Sequence, residues 1–176
     1  MKPITIDGNS LNLDDLSVAA SGGAEISLTP DARVKMEASR AIVEKALAEG
    51  RTVYGVTTGF GVFSEVAIPP DKVLQLQRNL VLSHCAAVGD PYPVEVVRGM
   101  MLLRANALAK GFSGIRPTVV DRLLQMLNAD VIPVIPSQGS VGASGDLAPL
   151  AHLAAALMGE GEVWQDRLRV PSRDAL

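Results

Sequence analysis

Cysteine is nearly missing from this sequence. Cys85 stands alone among 176 residues, which excludes an internal disulfide framework, and no Cys-x-x-Cys or Cys/His spacing offers zinc a ligand set, so no metal is expected. A reducing compartment fits that usage. Clusters of lysine and arginine are lacking as well: the formal net charge is −3, with acids and bases interspersed, which argues against nucleic-acid binding and leaves small molecules or proteins as partners. The N-terminus has no basic region followed by an apolar core, and the longest apolar stretch, Leu147 to Met158, is too short to span a bilayer. These absences predict a cytoplasmic chain with no membrane contact. No internal repeat or low-complexity segment interrupts it. A hydrophobic fraction of 48% supplies core material for one unit over 1–176, either whole in itself or a piece of a larger one.

What is present is mainly helical patterning with a few short strands. A strand at Ile4-Thr5-Ile6, a short helix from about Asn12, a break at Gly22-Gly23 and a strand over Glu25–Leu28 open the chain. Thr29-Pro30-Asp31 starts a helix with Val34, Ala38, Ile42 and Ala46 along one face until Gly50. Pro69-Pro70-Asp71 starts another, carrying Val73, Leu76, Leu80 and His84 on one face. Two more follow: Pro93 to Lys110, with Val97, Met101, Ala105 and Leu108 in register, and one from Pro117 with Val120, Leu123, Leu124 and Leu127. Their Met and Leu stripes are core. Val131–Pro136 reads as an extended connector because each proline disfavours helix at the residue before it. A hairpin around Gln165-Asp166-Arg167 closes the chain.

The connector leads into Gly139-Ser140-Val141-Gly142-Ala143-Ser144-Gly145-Asp146, where glycines recur every third residue and permit positive φ or close approach. A helix follows at once, with Asp146 suited to the N-cap, Pro149 in the first turn, and Leu147, Leu150, Ala154 and Leu157 at helical spacing. A phosphate cradle is disfavoured, since no Gly-Lys-Ser/Thr ending is present, the glycine spacing is not that of a dinucleotide loop, and Asp146 repels an anion. A nucleophile elbow fails because Asp146 occupies the position of its second glycine. Two readings remain: a well-capped loop-to-helix junction, or chemistry of the backbone itself.

The second reading rests on a resemblance. Residues 139–152, Gly-Ser-Val-Gly-Ala-Ser-Gly-Asp-Leu-Ala-Pro-Leu-Ala-His, are similar to the self-modifying motif of the aromatic amino acid ammonia-lyases and aminomutases. In that family an Ala-Ser-Gly tripeptide cyclises and loses two waters to give 4-methylidene-imidazol-5-one (MIO). The resemblance implies that Ala143, Ser144 and Gly145 form this electrophile, with Gly142 and Asp146 in support. The residue types suit the chemistry: the Gly145 amide nitrogen must reach the Ala143 carbonyl carbon, which demands a strained backbone without bulky side chains, and Ser144 supplies the hydroxyl that is eliminated.

Two further segments extend the likeness. On residue chemistry alone Tyr54 is a packed aromatic like many others. Tyr54-Gly55-Val56-Thr57-Thr58-Gly59-Phe60-Gly61, however, resembles the family's tyrosine loop, which implies that Tyr54 lies over the substrate as general base. An unperturbed phenol titrates at about 10, so that role needs a partner group. A histidine extending an apolar stripe is ordinarily a satisfied core residue, and Cys85 is turned about 100° from it on the helix. Asn79-Leu80-Val81-Leu82-Ser83-His84 is nevertheless similar to the family's selectivity segment, where histidine accompanies substrates with a polar ring, because imidazole can exchange hydrogen bonds with imidazole or phenol.

The resemblance covers about residues 3–176 and corresponds to the N-terminal part of much longer proteins. It implies the MIO-bearing portion of the ammonia-lyase helical fold, in an enzyme that is a homotetramer and removes ammonia non-oxidatively from L-histidine to give trans-urocanate. Tyrosine ammonia-lyase or tyrosine aminomutase activity is the alternative within the class, and a non-catalytic structural or assembly fragment is the alternative outside it. Further arginine, asparagine, glutamine and tyrosine positions of the family have no counterpart here. The 176-residue chain by itself is therefore expected to be inactive, with its tripeptide unmodified, and to associate or be poorly soluble because apolar stripes are left uncovered.

Overall fold

The computed structural model describes residues 1–59, 68–69, 72–140 and 147–176. Its elements run β1 (Lys2–Ile6), α1 (Leu13–Ala20), β2 (Ala24–Leu28), α2 (Pro30–Ala48), α3 (Val73–His84), β3 (Val88–Pro91), α4 (Val94–Ala109), α5 (Pro117–Asn128), β4 (Ile132–Pro133), β5 (Pro136–Gln138), α6 (Leu147–Leu157), β6 (Glu162–Gln165), β7 (Leu168–Pro171) and α7 (Ser172–Ala175). Helices dominate and the strands are short, as the patterning implies.

The first sixth of the chain folds as its local signals dictate. Asn12 caps α1, its Oδ1 accepting from the Asp15 amide at 2.9 Å, and α1 carries the chain across so that β1 and β2 pair in parallel, Lys2 opposite Ala24 and Ile6 opposite Leu28. Ile4, Ile6 and Ile26 are buried while Thr5, Glu25 and Ser27 face out, the period of two expected of a half-buried sheet. The other edge of β2 is closed by a side chain: Asn128, at the end of α5, accepts from the Ile26 amide and donates to the Ile26 carbonyl, both at 2.9 Å. The Asn128 carboxamide thus stands in for a third strand. Replacing Asn128 with alanine leaves both main-chain groups of the buried Ile26 unpaired and is expected to lower stability by about 2–4 kcal/mol. Urea denaturation measures this, and an unchanged midpoint would refute it.

Helices α4 and α5 form the centre of the core. Val97, Met101, Leu102, Ala105 and Ala109 of α4 meet Val120, Leu123, Leu124, Met126 and Leu127 of α5, with Met36, Ile132, Ile135, Leu153 and Val163 filling in around them. The expected stripes of both helices therefore point inward, with Leu108 at the margin. The closing hairpin forms at the expected place. Asp166 and Arg167 make its two-residue turn with φ of 50° and 64°, the left-handed pair that a tight hairpin requires.

One expectation fails. Of the stripe Val34-Ala38-Ile42-Ala46 only Ala46 is buried: Val34 is 64% and Ile42 70% exposed, Ala38 faces out, and Ala32 and Met36 are the other buried positions of α2. Polar and close backbone contacts set the rotation of this helix. Arg33 grips Asp121 through both guanidinium nitrogens, at 3.0 and 2.5 Å, Ser39 Oγ accepts from the Gly114 amide at 3.0 Å, and at Gly114 a Cβ would lie 2.4 Å from Val43 Cγ2. This fit at a glycine brings the turn after α4 directly onto α2, and no pattern of apolar residues in α2 reports it.

The extended connector is present, but it serves two sheets. Ile132 and Pro133 pair with Trp164 and Val163, and Pro136–Gln138 pairs with Val88–Pro91. Among the described residues no helix is long and apolar enough to cross a membrane.

Candidate active site

Helix α3 carries the first candidate. Val73, Leu76, Leu80 and His84 lie half-buried along one face, while Leu74, Gln75, Arg78, Asn79 and Ser83 face out. The helix packs on α6. Arg78 is ion-paired with Glu160, just beyond the end of α6, whereas Ala87, just beyond the end of α3, flanks Gly139 together with Ala148 at the start of α6. The two helices are therefore antiparallel, and His84 stands at the end of α3 near the beginning of α6.

The His84 ring is oriented by its own helix. Nδ1 lies 2.8 Å from the Leu80 carbonyl oxygen and 3.2 Å from Ser83 Oγ, and the Ser83 hydroxyl itself donates to Leu80 O at 2.9 Å. A carbonyl oxygen only accepts, so the proton sits on Nδ1, and in the neutral ring Nε2 presents a lone pair. His84 can thus receive a hydrogen bond from a donor in the site. Its neighbour Cys85 bonds back to Val81 O at 3.3 Å, and burial pushes its thiol up, which leaves it a poor nucleophile at neutral pH.

Tyr54 sits on a turn that its threonines tie together. Thr57 Oγ1 accepts from the Val53 amide at 2.8 Å and donates to Arg51 O at 2.7 Å. Thr58, only 1% exposed, accepts from the Gly55 amide at 3.2 Å and donates to Gly59 O at 2.9 Å. The turn is closed further by the Val56 and Thr57 amides on Val53 O and by the Ile68 amide on Thr57 O. Tyr54 itself is 63% exposed, so this hydrogen-bonded frame projects the phenol outward. That both threonine hydroxyls lock the backbone is not legible from their adjacency in the sequence.

Gly142, Ala143, Ser144, Gly145 and Asp146 lie outside the described residues, but the elements on either side of them are described. The chain arrives from β5 through Gly139 and leaves in α6, where Ala148, Ala151, Leu153, Ala155 and Ala156 are buried. The β5 strand is paired with β3, which follows directly from the end of α3. One ribbon therefore joins the helix bearing His84 to the lead-in of the 141–146 segment.

His152, on α6, has no role assigned from the sequence. Its Nε2 is buried without a hydrogen-bond partner among the described residues, and burial lowers the pKa of the ring below its ordinary 6.5. The signal was available, since His152 interrupts the longest apolar stretch of the chain. The folded state resists protonating this ring while the unfolded state does not, so stability is complete above the unfolded value and declines as pH falls through 6.5 toward the lower folded value. His152→Gln removes this titration. Urea midpoints measured at about pH 7.5 and about pH 5.5 should converge in that variant relative to the parent; an equal acid loss in both would contradict the assignment.

Among the described residues no group of three or more His, Cys, Asp or Glu could hold a metal ion. A cavity of about 270 Å³ lies at the β6–β7 turn, lined by Val94, Asp130, Trp164, Asp166 and Arg167, and contains neither Tyr54 nor His84.

The sequence pattern of the aromatic amino acid lyases matches residues 11–176, and the chain belongs to that family. Over 176 residues it is 51% identical to the histidine ammonia-lyase of Caldanaerobacter subterraneus subsp. tengcongensis, an alignment covering 100% of this chain and 35% of that protein. The crystal structure of histidine ammonia-lyase from Trypanosoma cruzi superimposes with a TM-score of 0.91 at 40% identity, covering 100% of this chain and 34% of the other. Tyrosine aminomutase from Streptomyces globisporus gives a TM-score of 0.90 at 37% identity, covering 99% of this chain and 32% of the other. The chain spans about a third of the length of the curated relatives it matches.

Proposed function

We propose that the full-length protein removes ammonia non-oxidatively from L-histidine to give trans-urocanate, using MIO formed from Ala143, Ser144 and Gly145. The observation that carries the choice of substrate is the orientation of His84. With Nδ1 committed to Leu80 O, Nε2 is left to accept from the ring N–H of a substrate imidazole. A benzene ring offers it no donor and would leave a polar atom unpaired. Relatives named histidine ammonia-lyase, at 49% and 51% identity, support the same reading.

The residue types at 143–145, small or glycine, suit a group made from the backbone. Ahead of the segment, at Gly139, Ala87 and Ala148 leave no room for a Cβ. When formed, MIO supplies an electrophilic carbon that no unmodified side chain offers. The chain's own residues do the rest. His84 Nε2 orients the substrate ring. Tyr54, projected from its threonine-tied turn, takes the β-proton on its phenolic oxygen. Gly142 and Asp146 are assigned a supporting role in forming the electrophile. In this reading 1–176 is the N-terminal unit of a cytoplasmic homotetramer with a small-molecule substrate and no nucleic acid, membrane or metal.

A phenol O–H can also donate to Nε2, so tyrosine ammonia-lyase or tyrosine aminomutase activity is the second reading. A panel of histidine, tyrosine and phenylalanine given to the full-length protein separates them through urocanate, coumarate or β-amino acid. Urocanate as the main product is expected, and failure to turn over histidine rejects the assignment. The same assay on the 176-residue chain alone is expected to give nothing; turnover there would show that this third of the protein suffices.

A further inference from the structure

Every polar group of Thr57 is engaged around the turn that carries Tyr54. Its amide donates to the Val53 carbonyl and its own carbonyl accepts from the Ile68 amide, each at 3.0 Å. Its hydroxyl accepts from the Val53 amide at 2.8 Å and donates to the Arg51 carbonyl at 2.7 Å. Both main-chain groups of Val53, the residue directly before Tyr54, are therefore held by Thr57. Only the two bonds of the hydroxyl depend on the side chain.

On the other side of Tyr54 the backbone sets no direction of its own. Gly55 adopts φ of 72°, and a glycine crosses between positive and negative φ at little cost, so hydrogen bonds must hold it there. Thr58 supplies one, accepting from the Gly55 amide at 3.2 Å. That threonine is 1% exposed and packs as well as bonds. Thr57 is half-buried, so its hydroxyl serves the main chain more than the core. Fixed at Val53 and soft at Gly55, the Tyr54 backbone takes its direction from the side that Thr57 holds. The phenolic oxygen lies at the far end of the ring, where a small rotation of that backbone is magnified.

We infer that Thr57 is a positioning residue for Tyr54: by holding the Val53 amide and the Arg51 carbonyl, its hydroxyl fixes the direction in which the phenolic oxygen is presented. The inference rests on the proposed role of Tyr54 as the base. In that step the bond between the substrate's β-carbon and its hydrogen breaks, the electron pair stays with the substrate, and the proton is bonded to the Tyr54 oxygen. Such a transfer needs the two heavy atoms at hydrogen-bond separation, about 2.6–3.2 Å. Displacements of about 1 Å at a reacting centre cost about a hundredfold in rate. Loss of the hydroxyl therefore acts on the proton transfer and not on the binding of the substrate ring, which belongs to His84.

The test is steady-state kinetics on histidine with the full-length protein, as parent, Thr57→Val, Thr57→Ser, Tyr54→Phe, and Thr57→Val combined with Tyr54→Phe. Thr57→Val keeps the shape of the side chain and removes the hydroxyl. It should lower kcat by about 10–100-fold with little change in KM, while circular dichroism keeps the parent's helical signal. Thr57→Ser restores the hydroxyl and should recover most of that loss. Because both residues act on one proton transfer, the double variant should be no slower than Tyr54→Phe alone. A Thr57→Val protein as fast as the parent, beside an impaired Tyr54→Phe, would overturn the role given to Thr57 alone. So would a double variant slowed by the product of the two single effects, a Thr57→Ser as slow as Thr57→Val, or loss of the helical signal in Thr57→Val. Tyr54→Phe as active as the parent would overturn the inference together with the reading of Tyr54 beneath it.

Discussion

Ser144→Ala in the full-length protein is expected to abolish ammonia release, lowering kcat by about 10³-fold or more, the scale met when the group that carries the chemistry is removed. The hydroxyl of Ser144 is what leaves to create the exocyclic double bond. An alanine in its place has no leaving group, so even a cyclised backbone could not become the electrophile. Stability should change little, because the substitution removes one oxygen from a segment already rich in glycine. Ammonia release and thermal midpoint, measured together, decide the matter. Residual turnover within tenfold of the parent would exclude Ser144 from the chemistry.

The second large effect is expected at Tyr54. Tyr54→Phe retains the ring and the turn, whose hydrogen bonds run through the Thr57 and Thr58 hydroxyls and the main chain, and removes only the phenolic oxygen. If that oxygen takes the β-proton, kcat falls by about 10²–10⁴-fold while the KM for histidine moves little. The mass deficit at residues 143–145 should persist in this variant, which separates loss of the base from loss of the electrophile. A rise in KM at unchanged kcat would make Tyr54 a binding residue and not the base.

Much of the architecture could be read from the sequence where one physical signal decided the outcome. Pro117 and the spacing of Val120, Leu123, Leu124 and Leu127 define α5 and its inward face because burial and helix geometry agree there. The bounds of helix α2 are legible in the sequence but its rotation is not, since its docking is set by the Arg33–Asp121 pair and the approach of Gly114 to Val43, which belong to partners far along the chain. Strand β3 gave no alternating pattern: Val88-Gly89-Asp90-Pro91 becomes extended because Pro136–Gln138 lies alongside it.

The site divides in the same way. His84 stood out by extending the Leu80 stripe, and its bond to Leu80 O follows from the four-residue spacing on a helix. The threonine frame under Tyr54, the buried Nε2 of His152 and the missing space at Gly139 all depend on distances that no local pattern encodes. Each of them nevertheless involves a residue type that invites the question: a buried hydroxyl, a histidine in an apolar run, a glycine without positive φ.

In the proposed chemistry residues 143–145 become an electrophile that acts on an amino acid whose ring is bound through His84. Intact mass of the wild-type full-length protein, followed by digestion and mapping of the peptide that contains Ser144, tests it most directly. A deficit of two waters confined to that peptide is expected. A full-length protein that turns over histidine while carrying an unmodified Ala143-Ser144-Gly145 would contradict it.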